Sequence, residues 1–294
     1  CIDCGLCQAR TQPEMVEASK RMREYIRAHA QRKNRSQKIA FCGKGGTGKS
    51  TMVALLANVL RQERYIVLVI DSDESNPGLP RLLGLGTPAT PLISLLERFS
   101  QGDRKPDASW LEAARIPLEC IPREFIVSAP RLKLLTVGKI IDPFQGCACN
   151  MADLARDFVQ KVSLGNKEMM LIDMEAGIES FGRGVERGVD TVLIVIEPSF
   201  DSLALAEKIR YMAEGIGIST IHAILNKIPS SEIEAKLRKE LEKQQMKVAG
   251  AVYMDPQISQ AGLTGKKLPD NTGAGAQVKK IATAILSAQE KQSV

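Results

Sequence analysis

Aromatic residues are scarce in this chain, 4% of 294 residues with a single tryptophan. A core must therefore rest on Leu, Ile, Val, Ala and Met. At 44% hydrophobic content there is enough for one α/β domain or two small ones. Histidine is scarcer still, at two residues. His222 falls inside an apolar run and reads as a satisfied core residue, while His29 lies in a basic stretch. Neither belongs to a nucleophile–base–carboxylate set, so water positioning and phosphate electrostatics have to carry any chemistry. No apolar run approaches the roughly 20 residues that cross a bilayer, and no secretory segment is present. The protein is expected in the cytoplasm, without a membrane partner. No internal repeat is visible. With Cys rather than Met at position 1, residues are expected upstream.

Charge is mildly unbalanced, 40 Lys and Arg against 34 Asp and Glu, a net of +6. Much of the excess lies in Lys20, Arg21, Arg23, Arg27, Arg32, Lys33, Arg35 and Lys38. A basic run can hold nucleic acid, but no interleaved aromatic platform or reading motif accompanies this one. A solvated helix or a surface for an acidic partner is expected instead, and nucleic acid is not.

The most informative stretch is Gly43-Lys44-Gly45-Gly46-Thr47-Gly48-Lys49-Ser50-Thr51. A short apolar run precedes it and an amphipathic one follows, the strand–turn–helix setting of a phosphate-binding loop. Its glycines let backbone N–H groups close around phosphate oxygens, and the helix N-terminus adds positive dipole. Lys49 is placed to reach the β and γ phosphates of ATP, and the Ser50 hydroxyl to hold Mg2+.

Apolar runs predict strands at 38–42, 66–71, 132–137, 169–173, 191–196, 220–226 and 247–252. Helix patterns fall at 49–62, 150–162, 202–214, 231–245 and 274–289. The alternation predicts an α/β fold, a mostly parallel sheet with helices on both faces. Residues 1–12 form a cysteine-rich motif, 13–37 a basic helix and linker, and 38–294 the P-loop domain; residues 84–125 are the least readable. At the second strand's end stand Asp71 and Asp73, carboxylates able to orient water or Mg2+. Leu171-Ile172-Asp173 resembles a Walker B strand, with Asp173 at its tip holding Mg2+ through water. Gly177 lets its N–H approach the γ-phosphate, so its loop can report nucleotide state.

Lys44, after the first glycine, gives the loop a resemblance to the deviant P-loop of the MinD/ParA and nitrogenase iron-protein superfamily. The resemblance implies ATP-dependent homodimerisation, with Lys44 reaching the partner's nucleotide. It implies that Asp73 positions the attacking water and that Asp71 lies near the metal. It also implies that Asn226 reads the adenine and that Asp255 packs near the base. Lys44, Lys49, Asp73 and Asp173 are the catalytic candidates. Gly43, Gly45, Gly46, Thr47, Gly48, Lys49, Ser50, Thr51, Gly177, Asn226 and Asp255 are the nucleotide-binding ones, and Ser50 and Asp71 belong to the Mg2+ site.

The seven cysteines sort by spacing. Cys147-Ala148-Cys149 cannot easily close a four-coordinate site alone, but two such pairs across a two-fold axis supply four sulfurs. That set suits Zn2+ or Ni2+, and a bridging iron–sulfur cluster is chemically open too. Two partly buried cysteines without a ligand is the plain alternative. Cys1, Cys4 and Cys7 are spaced as the opening of a ferredoxin motif, with Thr11 where the fourth cysteine would fall. They are read first as a [4Fe–4S] site and second as a zinc knot. Cys42 reads as a packing residue, and no spacing marks Cys120.

From about residue 137 to 267 the chain resembles the CooC-type ATPases that mature nickel carbon monoxide dehydrogenase. Gly146-Cys147-Ala148-Cys149, Glu175-Ala176-Gly177-Ile178-Glu179-Ser180-Phe181-Gly182-Arg183-Gly184, Arg187-Gly188-Val189-Asp190 and Ile196-Glu197-Pro198-Ser199-Phe200 carry it. The N-terminal cysteine motif departs from that family. The resemblance implies a metal, nickel first, on Cys147 and Cys149 between two subunits. It implies ATP hydrolysis coupled to delivery into an enzyme of the carbon monoxide dehydrogenase/acetyl-CoA synthase type. Glu197-Pro198-Ser199 is expected to be a structural strand-to-helix turn. The alternatives are an ATP-dependent iron–sulfur electron donor like the nitrogenase iron protein, and a positioning ATPase supported by the basic run alone.

Overall fold

The computed structural model describes residues 37–73, 76–96, 108–139, 148–178, 181, 184 and 188–291. The cysteines at 1, 4 and 7 and the expected basic helix and linker at 13–37, except Gln37, which opens β1, lie outside them, as does Cys147.

Ten strands are present among the described residues. They are β1 (Gln37–Cys42), β2 (Ile66–Asp71), β3 (Ile116–Pro117), β4 (Val127–Ala129), β5 (Leu132–Thr136), β6 (Val162–Ser163), β7 (Glu168–Asp173), β8 (Thr191–Ile196), β9 (Thr220–Ile228) and β10 (Lys247–Tyr253). The longer helices are α1 (Lys49–Gln62), α2 (Ala148–Lys161), α3 (Phe200–Gly215), α4 (Ser231–Lys243), α5 (Pro256–Thr264) and α6 (Gly273–Lys291). Eight strands form one sheet in the order β10-β9-β8-β1-β7-β2-β5-β4. All neighbours are parallel except β4, which runs antiparallel to β5 at the edge. β3 and β6 pair separately.

The central strands are apolar nearly throughout because both faces are covered. Successive side chains alternate between the faces. Ile39 and Phe41 of β1, Val67 and Val69 of β2, and Met169 and Leu171 of β7 pack on one side with α1 and α6. Ala40, Leu68, Ile70, Met170 and Ile172 pack on the other with α2, α3 and α4. Each of the Val, Leu, Ile, Phe and Met side chains among them contributes about 1.5–3 kcal/mol on burial. Trp110 packs against Phe125 and against Phe158 of α2, with ring centroids 5.7 and 6.1 Å from its own.

The predicted parallel sheet is therefore present, and its seven predicted strands differ from the observed ones by two residues at most. Three short strands, α5 and the short helical turns at 79–82, 109–112, 118–120 and 123–125 escaped the sequence pattern. β3, β4 and β6 are two or three residues long, too short for a period, and α5 has a single fully buried side chain, Ala261. Helix α2 begins at Ala148, two residues before its predicted start, which places Cys149 in its first turn. His222 is a second correction: it lies in β9, but its Nδ1 has no hydrogen-bond partner, so it is not a satisfied core residue. Burial first, and Lys247 next, hold its pKa down. No described helix is long and apolar enough to cross a membrane.

Candidate functional site

β1, β7 and β2 end side by side, with Phe41 in register with Asp173 and Asp71 beside Asp173. The phosphate loop leaves β1 at this edge and enters α1. Gly43 adopts φ +139, and a side chain there would put its Cβ 2.5 Å from the Val195 carbonyl oxygen. Gly48 caps α1 in a left-handed conformation, φ +92. Only glycine takes both positions without strain. Thr47 closes the turn internally, donating through its N–H and its hydroxyl to the Lys44 carbonyl at 3.3 and 2.9 Å. The loop's outward N–H groups and the α1 N-terminus together form an anion site.

Lys49 is buried and curls back over the loop, its Nζ 3.4 Å from the carbonyls of Gly43 and Lys44. Those long contacts leave the ammonium available to a phosphate. Lys44 is half-exposed and ion-paired at 3.6 Å with Asp201, in the first turn of α3 of its own chain.

Asp173 stands at the tip of β7, 1% exposed, and neither of its carboxylate oxygens has a hydrogen-bond partner. Burial pushes its carboxyl up to about 7. The nearby Ser50 hydroxyl is the strongest influence opposing that rise, although the contact falls short of hydrogen-bond geometry. A buried carboxylate with two orphaned oxygens facing a serine hydroxyl at a phosphate loop fits Mg2+. Asp173 and Ser50 would hold the ion, whose charge would offset negative charge developing on a bound phosphate. Among the described residues no group of three or more His, Cys, Asp and Glu could hold a metal ion by itself.

Asp71 is fully buried and pairs with the Lys139 ammonium at 2.8 Å. Burial pushes its carboxyl up to about 6, against the pull of Lys139. Asp73 is also buried, at 7% exposure. Asn76 donates from Nδ2 to Ser50 Oγ at 3.5 Å and accepts on Oδ1 from the Gly78 N–H at 2.9 Å.

Gly177, φ +97, donates its N–H to the Gly43 carbonyl at 3.3 Å. The loop after β7 is thereby held against the phosphate loop. Asn226, at the end of β9, donates from Nδ2 to the Thr47 carbonyl at 2.7 Å, so its carboxamide holds the loop itself. Next to it, Lys227 donates to the Gly46 carbonyl and pairs with Glu197 at 3.3 Å. Asp255 is the N-cap of α5: Oδ1 accepts from Gln257 N–H at 2.9 Å, and Oδ2 from Ala274 N–H at 3.0 Å at the start of α6. Its carboxylate is taken up by two helix ends.

The structure thus brings together Gly43 to Thr51, Asp71, Asp73, Asp173, Gly177 and Asn226. It gives Asp255 a capping role. Cys42 is a buried packing residue, and Cys120 is exposed on a short helical turn. Ser199 caps α3 as a strand-to-helix turn, accepting from Ser202 N–H at 3.3 Å. Lys139, Lys227 and Glu197 join the site without having been singled out for it. Lys227 directly follows Asn226, and Glu197 lies in a segment that carries the CooC resemblance, whereas nothing in the sequence marks Lys139.

The family model described as the CobQ/CobB/MinD/ParA nucleotide binding domain matches residues 39–268. An uncharacterized ATP-binding protein of Methanocaldococcus jannaschii is 38% identical over 79% of this chain and 93% of its own length. The carbon monoxide dehydrogenase accessory protein CooC of Rhodospirillum rubrum is 39% identical over 66% of this chain and 75% of its own. Among solved structures, the Pyrococcus furiosus cell division ATPase MinD superposes with a TM-score of 0.63 at 20% identity, over 86% of this chain and 99% of that one. At that identity the likeness speaks to the fold alone.

Proposed function

The chain belongs to the CobQ/CobB/MinD/ParA nucleotide-binding family as an ATPase of the MinD/ParA kind, and from that premise we propose that it is a metallochaperone. ATP closes a homodimer in which Cys147 and Cys149 of two subunits offer four thiolates to one metal ion, nickel first. Hydrolysis loosens the dimer and releases the metal to a nickel enzyme of the carbon monoxide dehydrogenase/acetyl-CoA synthase type. The observation that carries this is the 39% identity to an accessory protein of carbon monoxide dehydrogenase, in a chain with a Cys-x-Cys pair at positions 147 and 149.

The residues divide the work. The loop N–H groups and Lys49 bind the phosphates. Asp73 orients the water that attacks the γ-phosphorus, and ADP leaves with the bond electrons. Gly177 turns its N–H from the Gly43 carbonyl to the γ-phosphate. Asp173 and Ser50 hold Mg2+. Lys44 leaves Asp201 for the partner's nucleotide.

The test is anaerobic metal and sulfide analysis of the full chain and of the Cys147→Ser/Cys149→Ser variant, each desalted with a non-hydrolysable ATP analogue. The wild type is expected to retain about one additional nickel per dimer relative to the variant. The variant should bind nucleotide normally. Equal nickel in both would sink the chaperone site. Iron and sulfide lost with the two cysteines, together with a reducible chromophore, would move the protein to the electron donors.

A further inference from the structure

Lys139 lies just beyond β5, and nothing in its local sequence marks it. Its ammonium has three N–H donors, and three oxygens take them. These are Asp71 Oδ1 at 2.8 Å, the Asn76 carbonyl at 2.7 Å and the Asp73 carbonyl. The Lys139 side chain is 16% exposed and that of Asp71 is 0% exposed, so solvent does little to screen the pair.

A buried ion pair is weak evidence for stability, because an apolar pair of similar volume is often as stable. What an apolar pair could not do is grip main-chain carbonyls. Two of the three oxygens are carbonyls, and they belong to Asp73 and Asn76. Asp73 carries the carboxylate assigned to the attacking water. Asn76 reaches Ser50 Oγ, in the first turn of α1.

The other end of the lever is anchored. A Cβ on Gly138 would lie 2.4 Å from Met151 Sδ and 3.0 Å from Ile93 Cγ2, so the chain before Lys139 packs directly on α2. Asp71 holds the ammonium from β2, the sheet neighbour of β5.

We propose that Lys139 is a positioning residue for ATP hydrolysis, fixing the main chain at Asp73 and Asn76 so that the Asp73 carboxylate meets the attacking water. This rests on the ATPase reading and on the role given to Asp73. With its three donors spent on Asp71, Asp73 and Asn76, Lys139 acts through Asp73.

The experiment is a double-mutant cycle on the full chain, reading kcat, KM for ATP and the affinity for a fluorescent ATP analogue. Lys139→Met is expected to lower kcat roughly 10- to 100-fold, the cost of a small misplacement, with KM and analogue affinity within about threefold. In an Asp73→Asn background the same substitution should cost less than about twofold, since the residue it acts through is already disabled. Lys139→Met strands a buried carboxylate, so Lys139→Met/Asp71→Asn is measured beside it as a variant whose folding is not so burdened. That variant should be as slow as Lys139→Met. An unchanged kcat in the folded double variant, a full additional loss on top of Asp73→Asn, or a loss confined to KM would each overturn the role. A wild type with no ATP turnover would instead overturn the ATPase reading beneath it.

Discussion

Gly177 donates its N–H to the carbonyl of Gly43 at 3.3 Å, and both glycines sit at positive φ, +97 and +139. The contact joins the loop after the Asp173 strand to the first residue of the phosphate loop. A γ-phosphate would compete for the Gly177 N–H, which makes the contact a two-state element. Gly177→Ala places a Cβ where an L-residue pays about 1–2 kcal/mol in strain. ATP hydrolysis is expected to fall at least tenfold while ADP affinity stays within about threefold. Steady-state turnover beside a fluorescent-ADP titration checks it, and equal losses in both would show a general lesion of the site.

The Asn226 carboxamide and Gly48 are matched to each other. A Cβ on Gly48 would stand 2.5 Å from Asn226 Nδ2, and Gly48 also has φ +92. Gly48→Ala should therefore abolish ATP binding in calorimetry. Asn226→Ala leaves the Thr47 carbonyl without its donor, at a cost of about 1–3 kcal/mol, and should weaken nucleotide binding roughly 5- to 100-fold. Adding Asn226→Ala to Gly48→Ala should recover thermal stability by removing the clash. No recovery would mean that φ, not space, dominates at Gly48.

Asp255 spends one carboxylate oxygen on each of two helix starts. Asp255→Ala should cost about 2 kcal/mol in urea unfolding, two caps of roughly 1 kcal/mol each. Asp255→Asn keeps one acceptor oxygen and should lose about half as much. If Asp255→Asn leaves stability intact but loses adenine selectivity, the residue reads the base and the capping role is secondary.

Lys38 gives the protein a pH dependence in an unusual direction. Its Nζ donates to the Val159 carbonyl at 2.6 Å, yet burial lowers its pKa from 10.5 to about 8, with Asp190 opposing the fall. Between about pH 8 and 10.5 the unfolded chain holds a proton on this residue that the folded chain has released. Its contribution to stability therefore rises with pH across that window, by an amount on the order of 1–3 kcal/mol. Urea unfolding of the wild type and Lys38→Met at pH 7.5 and 9.5 should show the wild type gaining on the variant. A constant difference would show that Lys38 keeps its proton.

Much of the site was legible because its residues are contiguous or end an apolar run. The loop from Gly43 to Thr51 is a local pattern, and Asp71 and Asp173 are the last residues of strands whose hydrophobicity announces them. Lys139 was not legible, because its partners come from the neighbouring strand's loop and only the β2–β5 pairing brings them near. Asp255 was legible as a loop residue, but its second helix end, Ala274, is reached only through the fold. The unassigned region 84–125 holds β3, whose partner β6 comes much later in the chain.

The sequence by itself determined the strand–helix alternation, the phosphate loop and the acidic residues at strand tips. These follow from local periodicity, glycine conformation and the charge a phosphate requires. The tertiary structure decided which carboxylate keeps both oxygens without a partner and which is already matched by a lysine. Asp71 and Asp173 look alike in the sequence and stand side by side in the sheet. Asp71 meets an ammonium delivered from just beyond β5, while Asp173 keeps two oxygens without partners. Charge matching in a buried site depends on what the fold places within about 3 Å, and spacing along one chain does not contain that distance.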